Sequence, residues 1–426
     1  MSKNQFPQEM ITHHNCRLCG KNNLENIISL GNQNLIDFID DDNDDDDKKS
    51  LSAPLDLVLC NKRKGGCGLL QLKHTVPGDI LFRQFWYKSG VNQTIKNDLE
   101  DIVQKSKNLV KLNSNDIVID IGANDGTLLR NYNDKNIKTI GFEPATNLIS
   151  EAKVGLTEII NDFFNSKAFF EKFPNETAKI ITSVSMFYDL ENPNEFVSDI
   201  VKILDENGIW IVQMNYLVSM LENNAFDNIV HEHLEYYSLQ SLEALLDRHN
   251  LTIFDVEFNK INGGSIRAYV KHKNCQKFSI TNNVQETRNY EKNFGLDNEK
   301  PYYDFVNRIK KLKSQTYDFI KNKVNDGNII HIYGASTRGN TLLQYYDLNS
   351  TLIKFASDRN PSKWGKHTAG TNVSIISEEE SRKEKPTYYL ILPWYFLDEF
   401  LEREKDYLDH GGKFIVPLPI FRIIER

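Results

Sequence analysis

The sequence predicts an α/β protein with a Rossmann-like nucleoside-binding unit at its centre. A small cysteine-bearing domain precedes that unit and a second Rossmann-like unit follows it. Three observations carry this reading. Ile117-Val118-Ile119-Asp120-Ile121 is a short apolar, mostly β-branched run that ends on Gly122 and Gly126 and passes into Thr127-Leu128-Leu129-Arg130, the pattern of strand, tight turn and helix. Glu143 ends the next apolar stretch, where a carboxylate can accept both hydroxyls of a ribose. The same order returns near residue 330, and four of the five cysteines fall before residue 70. The implied domains are residues 1–80, 81–275 and 276–426.

Residues 1–80 carry Cys16-Arg17-Leu18-Cys19-Gly20, a C-x-x-C knuckle whose two thiolates can hold one tetrahedral ion. Cys60 and Cys67 form a looser pair, and the intervening Gly65-Gly66 can turn the chain so that the sulfurs meet. No signal-peptide core suggests export, which disfavours a disulfide, and no thioredoxin-like βαβ unit surrounds the knuckle. Cys16, Cys19, Cys60 and Cys67 are therefore expected to bind structural zinc in a closed, non-catalytic site. His13 and His14 could replace a ligand, and Cys275 reads as an unpaired thiol. The run from 37 to 49, DFIDDDNDDDDKK, lacks the glycine and terminal glutamate of an EF-hand loop and reads as a self-repelling solvated loop.

In the middle unit a helix is expected over residues 94–112, leading into the strand at 117–121. Later strands read at 180–184, 210–214, 251–258 and 266–271, and the alternation with helices implies a mostly parallel sheet with an antiparallel ending. The glycine spacing Gly122-x-x-x-Gly126 is not the dinucleotide pattern G-x-G-x-x-G. Asp120-x-Gly122-x-Asn124-Asp125-Gly126-Thr127 resembles the first motif of class I S-adenosylmethionine (SAM) methyltransferases. A sulfonium cation suits Asp120 and Asp125, which would repel a pyrophosphate. Asp162, after the third strand, could accept from an adenine amino group or cap a helix.

After residue 275 a charged helix at about 300–324 leads to Ile329-Ile330-His331-Ile332-Tyr333-Gly334, a glycine turn and a further helix. Asp358 ends the next strand. This half-fold keeps open an NAD-dependent sugar-nucleotide oxidoreductase, although Gly334 and Gly339 do not have the dinucleotide spacing.

The richest titratable segment is Asp227-Asn228-Ile229-Val230-His231-Glu232-His233-Leu234-Glu235-Tyr236-Tyr237. It follows the fifth strand, at the carboxyl edge where α/β ligands collect. Histidines two apart do not make a zincin site. A neutral imidazole beside a carboxylate can act as a general base; the alternative is an interdomain loop with hydrogen-bonded histidines. Asn262-Gly263-Gly264-Ser265-Ile266-Arg267 could be a turn or could hold a diphosphate, and Arg338 and Lys363 are further anion candidates.

Taken in order, C-x-x-C, Cys67-Gly68-Leu69-Leu70-Gln71-Leu72, the SAM motif, D-x-I-x-H-E-H, N-G-G-S-I-R, Y-G-A-S-T-R-G-N, 358–366 and 411–419 resemble the sugar C-methyltransferases of deoxysugar pathways over nearly the whole chain. The resemblance implies a zinc-binding domain, a SAM domain and a C-terminal domain that helps enclose a nucleoside-diphosphate keto-deoxysugar. His233 falls on the position of the base that takes a proton from the carbon beside the ketone, and the resulting enolate takes the methyl. Glu232 would contact the sugar or set the imidazole. Tyr87, in Phe85-Trp86-Tyr87-Lys88-Ser89-Gly90, would stabilise enolate charge. Gly122, Asn124 and Gly126 would contact the methionine part of SAM, and Glu143 its ribose. The chain departs from the family at Tyr188, where many relatives have histidine, at Val230, where some have tyrosine, and in its longer second cysteine spacing. The first two departures line the acceptor side and leave an O- or N-methyltransferase on a similar sugar as the nearest alternative.

A net charge of −8 with scattered Lys and Arg argues against nucleic acid as the main partner. No apolar run has the length to span a bilayer. A cytoplasmic monomer or weak dimer is expected, with 40% hydrophobic and 26% charged residues leaving ample core.

Overall fold

The computed structural model describes residues 10–35, 38–40, 51–82, 87–133 and 136–426. Most of the acidic run, together with Phe85 and Trp86, lies outside these residues.

The central sheet has seven strands: β1 (Ile117–Ile121), β2 (Lys138–Phe142), β3 (Glu158–Ile160), β4 (Ala178–Val184), β5 (Leu204–Asn215), β6 (Leu251–Asn259) and β7 (Ser265–His272). Their order across the sheet is β3-β2-β1-β4-β5-β7-β6. Every residue of β1 is buried, as a strand covered on both faces requires. The expected antiparallel ending is a single strand. β7 runs against both β5 and β6, so β6 points the same way as the rest. The helix expected over 94–112 runs Gln93–Leu109, started by Asn92, whose side chain accepts from the amides of Thr94 and Ile95. It buries Ile95, Leu99, Ile102 and Val103, one helical face, against the sheet.

The C-terminal unit repeats the design. β8 (Ile330–Tyr333), β9 (Phe355–Asp358), β10 (Ser374–Ser377), β11 (Tyr388–Ile391) and β12 (Lys413–Val416) are parallel, in the order β10-β9-β8-β11-β12. This matches the order of β1 to β5. Each unit also turns an acid at the end of its second strand onto the glycine turn after its first. Glu143 accepts from the Asn124 amide at 2.7 Å, and Asp358 accepts from the Ala335 amide at 2.9 Å.

Two short strands stitch the units together. Phe38–Ile39, at the head of the acidic run, pairs with His367 and Thr368 at the edge of the C-terminal sheet. That part of the run is therefore no solvated loop. Phe38 is an apolar side chain and is buried, while the charges follow it. Glu235–Tyr236, immediately after His233, pairs with Leu70 and Gln71 and joins the N-terminal sheet of Leu24–Asn34, Ser52–Cys60 and Leu70–Leu72. No helix among the described residues is long and apolar enough to cross a membrane.

Candidate active site

The four cysteine sulfurs lie within 4.8 Å of one another. Cys16 and Cys67 are 3.5 Å apart, and Cys19 and Cys60 are 3.4 Å apart. Tetrahedral zinc–thiolate bonds of about 2.3 Å set sulfur separations near 3.8 Å, so the donors fit a closed site of four thiolates. The longer second spacing is absorbed by a turn at Lys62–Lys64, after which Gly65 adopts φ 82°. Gly66 then passes so close that a Cβ would sit 2.6 Å from the Cys60 sulfur.

A cavity of ≈ 340 Å3 opens at the carboxyl edge of β1, β2, β4 and β5 and is closed by Ser336–Arg338 and Tyr395 of the C-terminal unit. Among the expected site residues, Asp120, Gly122, Asn124, Glu143, Asp162, Tyr87, Tyr188, Glu232, His233, Asn262 and Arg338 line it. Gly122 has φ +73°, and a Cβ there would lie 2.9 Å from Met186 Cγ, a wall of the same cavity. Asn124 ties the cavity rim together: its Oδ1 accepts from the Ser89 amide at 2.9 Å and its Nδ2 donates to the Tyr87 carbonyl at 3.0 Å. Glu143 accepts from Asn124 and, at 2.7 Å, from Ala145, which aims the carboxylate while lone pairs remain for ribose hydroxyls. Asp162 caps no helix, because Asn165 caps the helix Ser166–Lys172.

Burial pushes the Asp120 carboxyl up to about 8, with Thr182 donating to it and Glu143 opposing its ionisation. A bound sulfonium favours the ionised form. Titrating SAM into the protein at pH 7 is therefore expected to release a fraction of a proton, measured by calorimetry in buffers of different ionisation enthalpy. Release should vanish by about pH 10 and in Asp120→Asn, whereas proton uptake would contradict the assignment.

Four expected residues stand elsewhere. Arg267, on β7, is buried with Asp98 at 2.9 Å, Asp101 at 2.7 Å and Gln213 of β5 at 2.8 Å, so its charge is already matched and it does not reach the cavity. Lys363 donates to the Ala335 carbonyl at 2.8 Å and to Asp358 at 3.2 Å, again away from the cavity. Asp125, expected beside a sulfonium, accepts from Gly90 at 2.7 Å and Thr127 at 3.1 Å and serves the turn. Gly126, at φ +80°, begins the helix Thr127–Arg130 without lining the cavity. Asp358, the matching acid of the C-terminal unit, accepts from Lys363 at 3.2 Å, from the Ala335 amide at 2.9 Å and from the Asn360 amide at 2.8 Å.

Sequence reasoning missed Asp98 and Gln213, which line the cavity and bond to each other, and Asp189 on the turn after β4. Asp227, which the sequence offers only as the start of the titratable segment, accepts from Arg338 Nε at 2.9 Å and from Trp394 at 3.2 Å. Arg338 further donates to the Asn262 carbonyl at 2.9 Å and lies 4.3 Å from the Tyr395 ring centre. His233 Nδ1 lies 2.8 Å from the Asn228 carbonyl, and its ring meets Tyr188 edge-on at 4.3 Å. Burial pushes His233 down to about 3, against the pull of that carbonyl and with help from Arg338.

Sheet order, glycine turn and acid-ended second strand define a SAM-dependent methyltransferase. Residues 93–256 match the family described as "Methyltransferase domain", residues 260–419 "C-methyltransferase C-terminal domain" and residues 16–82 "Putative zinc binding domain". The chain is 30% identical over 410 residues to the C-methyltransferase NovU of Streptomyces niveus, covering 96% of each chain. It belongs to the C-methyltransferase family. Two solved structures match part of it. A SAM-dependent methyltransferase from Clostridium acetobutylicum ATCC 824 is 16% identical with a TM-score of 0.32, covering 42% of this chain and 92% of that one. The PH0226 protein of Pyrococcus horikoshii OT3 is 14% identical with a TM-score of 0.35, covering 44% and 95%.

Proposed function

We propose that the chain methylates the carbon beside the ketone of a nucleoside-diphosphate keto-deoxysugar, with His233 as general base. The seat of His233 carries this reading. A carbonyl can only accept, so the Asn228 contact puts the ring proton on Nδ1 and leaves Nε2 with its lone pair, in a residue that lines the cavity.

Bound SAM would supply an electrophilic methyl group. The ketone makes the neighbouring C–H acidic, His233 takes that proton, and the electron pair of the C–H bond becomes the enolate that forms the new C–C bond. Burial holds the Tyr188 hydroxyl protonated, and Tyr87, 46% exposed, adds a second phenol on the cavity wall; both can donate to the enolate oxygen. Glu232, which lines the same cavity, would contact the sugar or stabilise the imidazolium. Arg338 and Asn262, joined across the two α/β units, line the cavity and would face the sugar nucleotide, with the Arg338 charge already matched by Asp227 at 2.6 Å. Asp120, Gly122, Asn124 and Glu143 would hold the methionine and ribose parts of SAM and Asp162 its adenine. In this arrangement residues 1–80 form the zinc domain, 81–275 the SAM domain and 276–426 the part that closes over the sugar nucleotide.

A base pushed down to about 3 stays neutral through the physiological range. The profile of kcat/KM, which reports the free enzyme, should therefore show no acid limb from His233 between about pH 5 and 7. A limb near 6.5 that disappears in His233→Asn would contradict this setting. The substrate class is tested by following SAM consumption with keto-sugar nucleotides against their reduced, 4-hydroxy counterparts. Turnover is expected only with the ketone, and equal turnover of the alcohol would favour O-methylation.

A further inference from the structure

We propose that Arg17 is a positioning residue through which the four-cysteine knuckle fixes the place of His233 in the cavity. The inference rests on the reading of His233 given above. Arg17 lies between Cys16 and Cys19, so the path of its backbone is set by two metal ligands. Its side chain does not reach solvent. The guanidinium donates to the Leu72 carbonyl at 2.5 Å and to Thr75 Oγ1 at 2.5 Å, and its Nε lies 3.7 Å from Glu235 Oε1. Both side chains of that ion pair are at most 1% exposed. The Arg17 amide also donates to Gln71 Oε1 at 3.0 Å.

These contacts lead to the base in a few bonds. Gln71 pairs with Glu235 and Leu70 with Tyr236. The Leu72 amide donates to the Leu234 carbonyl at 2.9 Å, and the Leu234 amide donates to the Tyr188 carbonyl at 2.7 Å. Leu234 is thus held between the N-terminal sheet and the turn carrying Tyr188, whose ring packs on His233. From the other side, Asn194 Nδ2 donates to the carbonyls of Arg17 at 3.0 Å and Leu18 at 3.1 Å, and Arg248 also donates to Leu18. The knuckle is therefore clamped onto the helices Pro193–Ile203 and Leu239–Arg248, which follow in the chain the segments that carry Tyr188 and His233. A planar fork that bonds a carbonyl and a hydroxyl while setting its charge 3.7 Å from a carboxylate is a job lysine does less well. A closed structural metal site would then serve catalysis at a distance, as outer partners of a reactive group commonly do.

The test uses the full-length zinc-loaded protein and the pair Arg17→Met/Glu235→Gln, which removes both buried charges together and leaves neither stranded. Zinc content, thermal midpoint and the Kd for SAM are measured beside kcat. The His233 ring resonance in 13C-labelled protein reports its position without turnover. Expected are full zinc, a SAM Kd within about twofold, a displaced His233 resonance and kcat lower by about 10–100-fold, with Arg17→Lys recovering part of both the resonance and the rate. Unchanged kcat and resonance would overturn the proposal, as would a fall in kcat that merely follows lost zinc or lost SAM binding. If His233→Asn proves fully active, the base assignment falls, yet the resonance still decides whether Arg17 sets the ring.

Discussion

His233→Asn is expected to lower kcat by about 10²–10⁴-fold while the SAM Kd stays within about twofold. The asparagine amide can keep the hydrogen bond to the Asn228 carbonyl now made by Nδ1, so the loop after β5 should hold its shape. What is lost is the single lone-pair nitrogen. In the proposed arrangement SAM is held by the other wall of the cavity, by Asp120, Gly122, Asn124 and Glu143, whose hydrogen bonds run to partners other than His233. Calorimetry with SAM and initial rates with the keto-sugar nucleotide separate the two effects. Full activity in the variant would remove His233 from the chemistry, and lost SAM binding would make its role structural.

Cys60→Ser is expected to empty the metal site, lower the thermal midpoint by roughly 10 °C and remove most activity. Cys60 closes the strand Ser52–Cys60 and touches three parts of the cluster: its sulfur lies 3.4 Å from Cys19, accepts from the Cys67 amide at 3.3 Å and sits under Gly66. The strand it ends lies at the centre of the N-terminal sheet, between Leu24–Asn34 and Leu70–Leu72, and Glu235–Tyr236 is added to the edge of that sheet. Loss of the metal should therefore loosen the segment beside His233 as well as the N-terminal domain. Zinc per chain by atomic emission, a melting curve and a rate measurement check the three effects together. A variant that retains stability and activity without zinc would show that the cluster holds nothing the fold needs.

The parts legible in the sequence are those whose signal is local. The turn from Asp120 to Thr127 declares itself within eight residues, because a strand, two glycines and a helix start must occur in that order. Cys16 and Cys19 do so within four. The repeat of strand, glycine turn and acid at Gly334 and Asp358 announced a second α/β unit, and its strand order became visible only in the structure. The failures share another cause. Arg267, Lys363 and Asp125 are charged residues near glycine turns, and their partners come from distant chain segments or unremarkable positions: Arg267 meets Asp98 across 169 residues. A charge that is matched inside the fold looks, in sequence, like one reserved for a ligand. Asp98 and Gln213 were missed for the converse reason, since a helical aspartate and a strand glutamine carry no motif. The strands Phe38–Ile39 and Glu235–Tyr236 are two residues long, too short for any periodicity, yet they bind the three parts together.

The central claim is that a methyl group is delivered to carbon beside a ketone. Incubating the protein with methyl-13C SAM and a nucleoside-diphosphate 4-keto-deoxysugar, then recording the product's carbon spectrum, tests it directly. The account predicts a labelled methyl bonded to the carbon next to the ketone, with the hydrogen of that carbon gone and His233→Asn forming product about 10²–10⁴-fold more slowly. A label on oxygen or nitrogen, or equal labelling of the sugar in the His233→Asn variant, would contradict it.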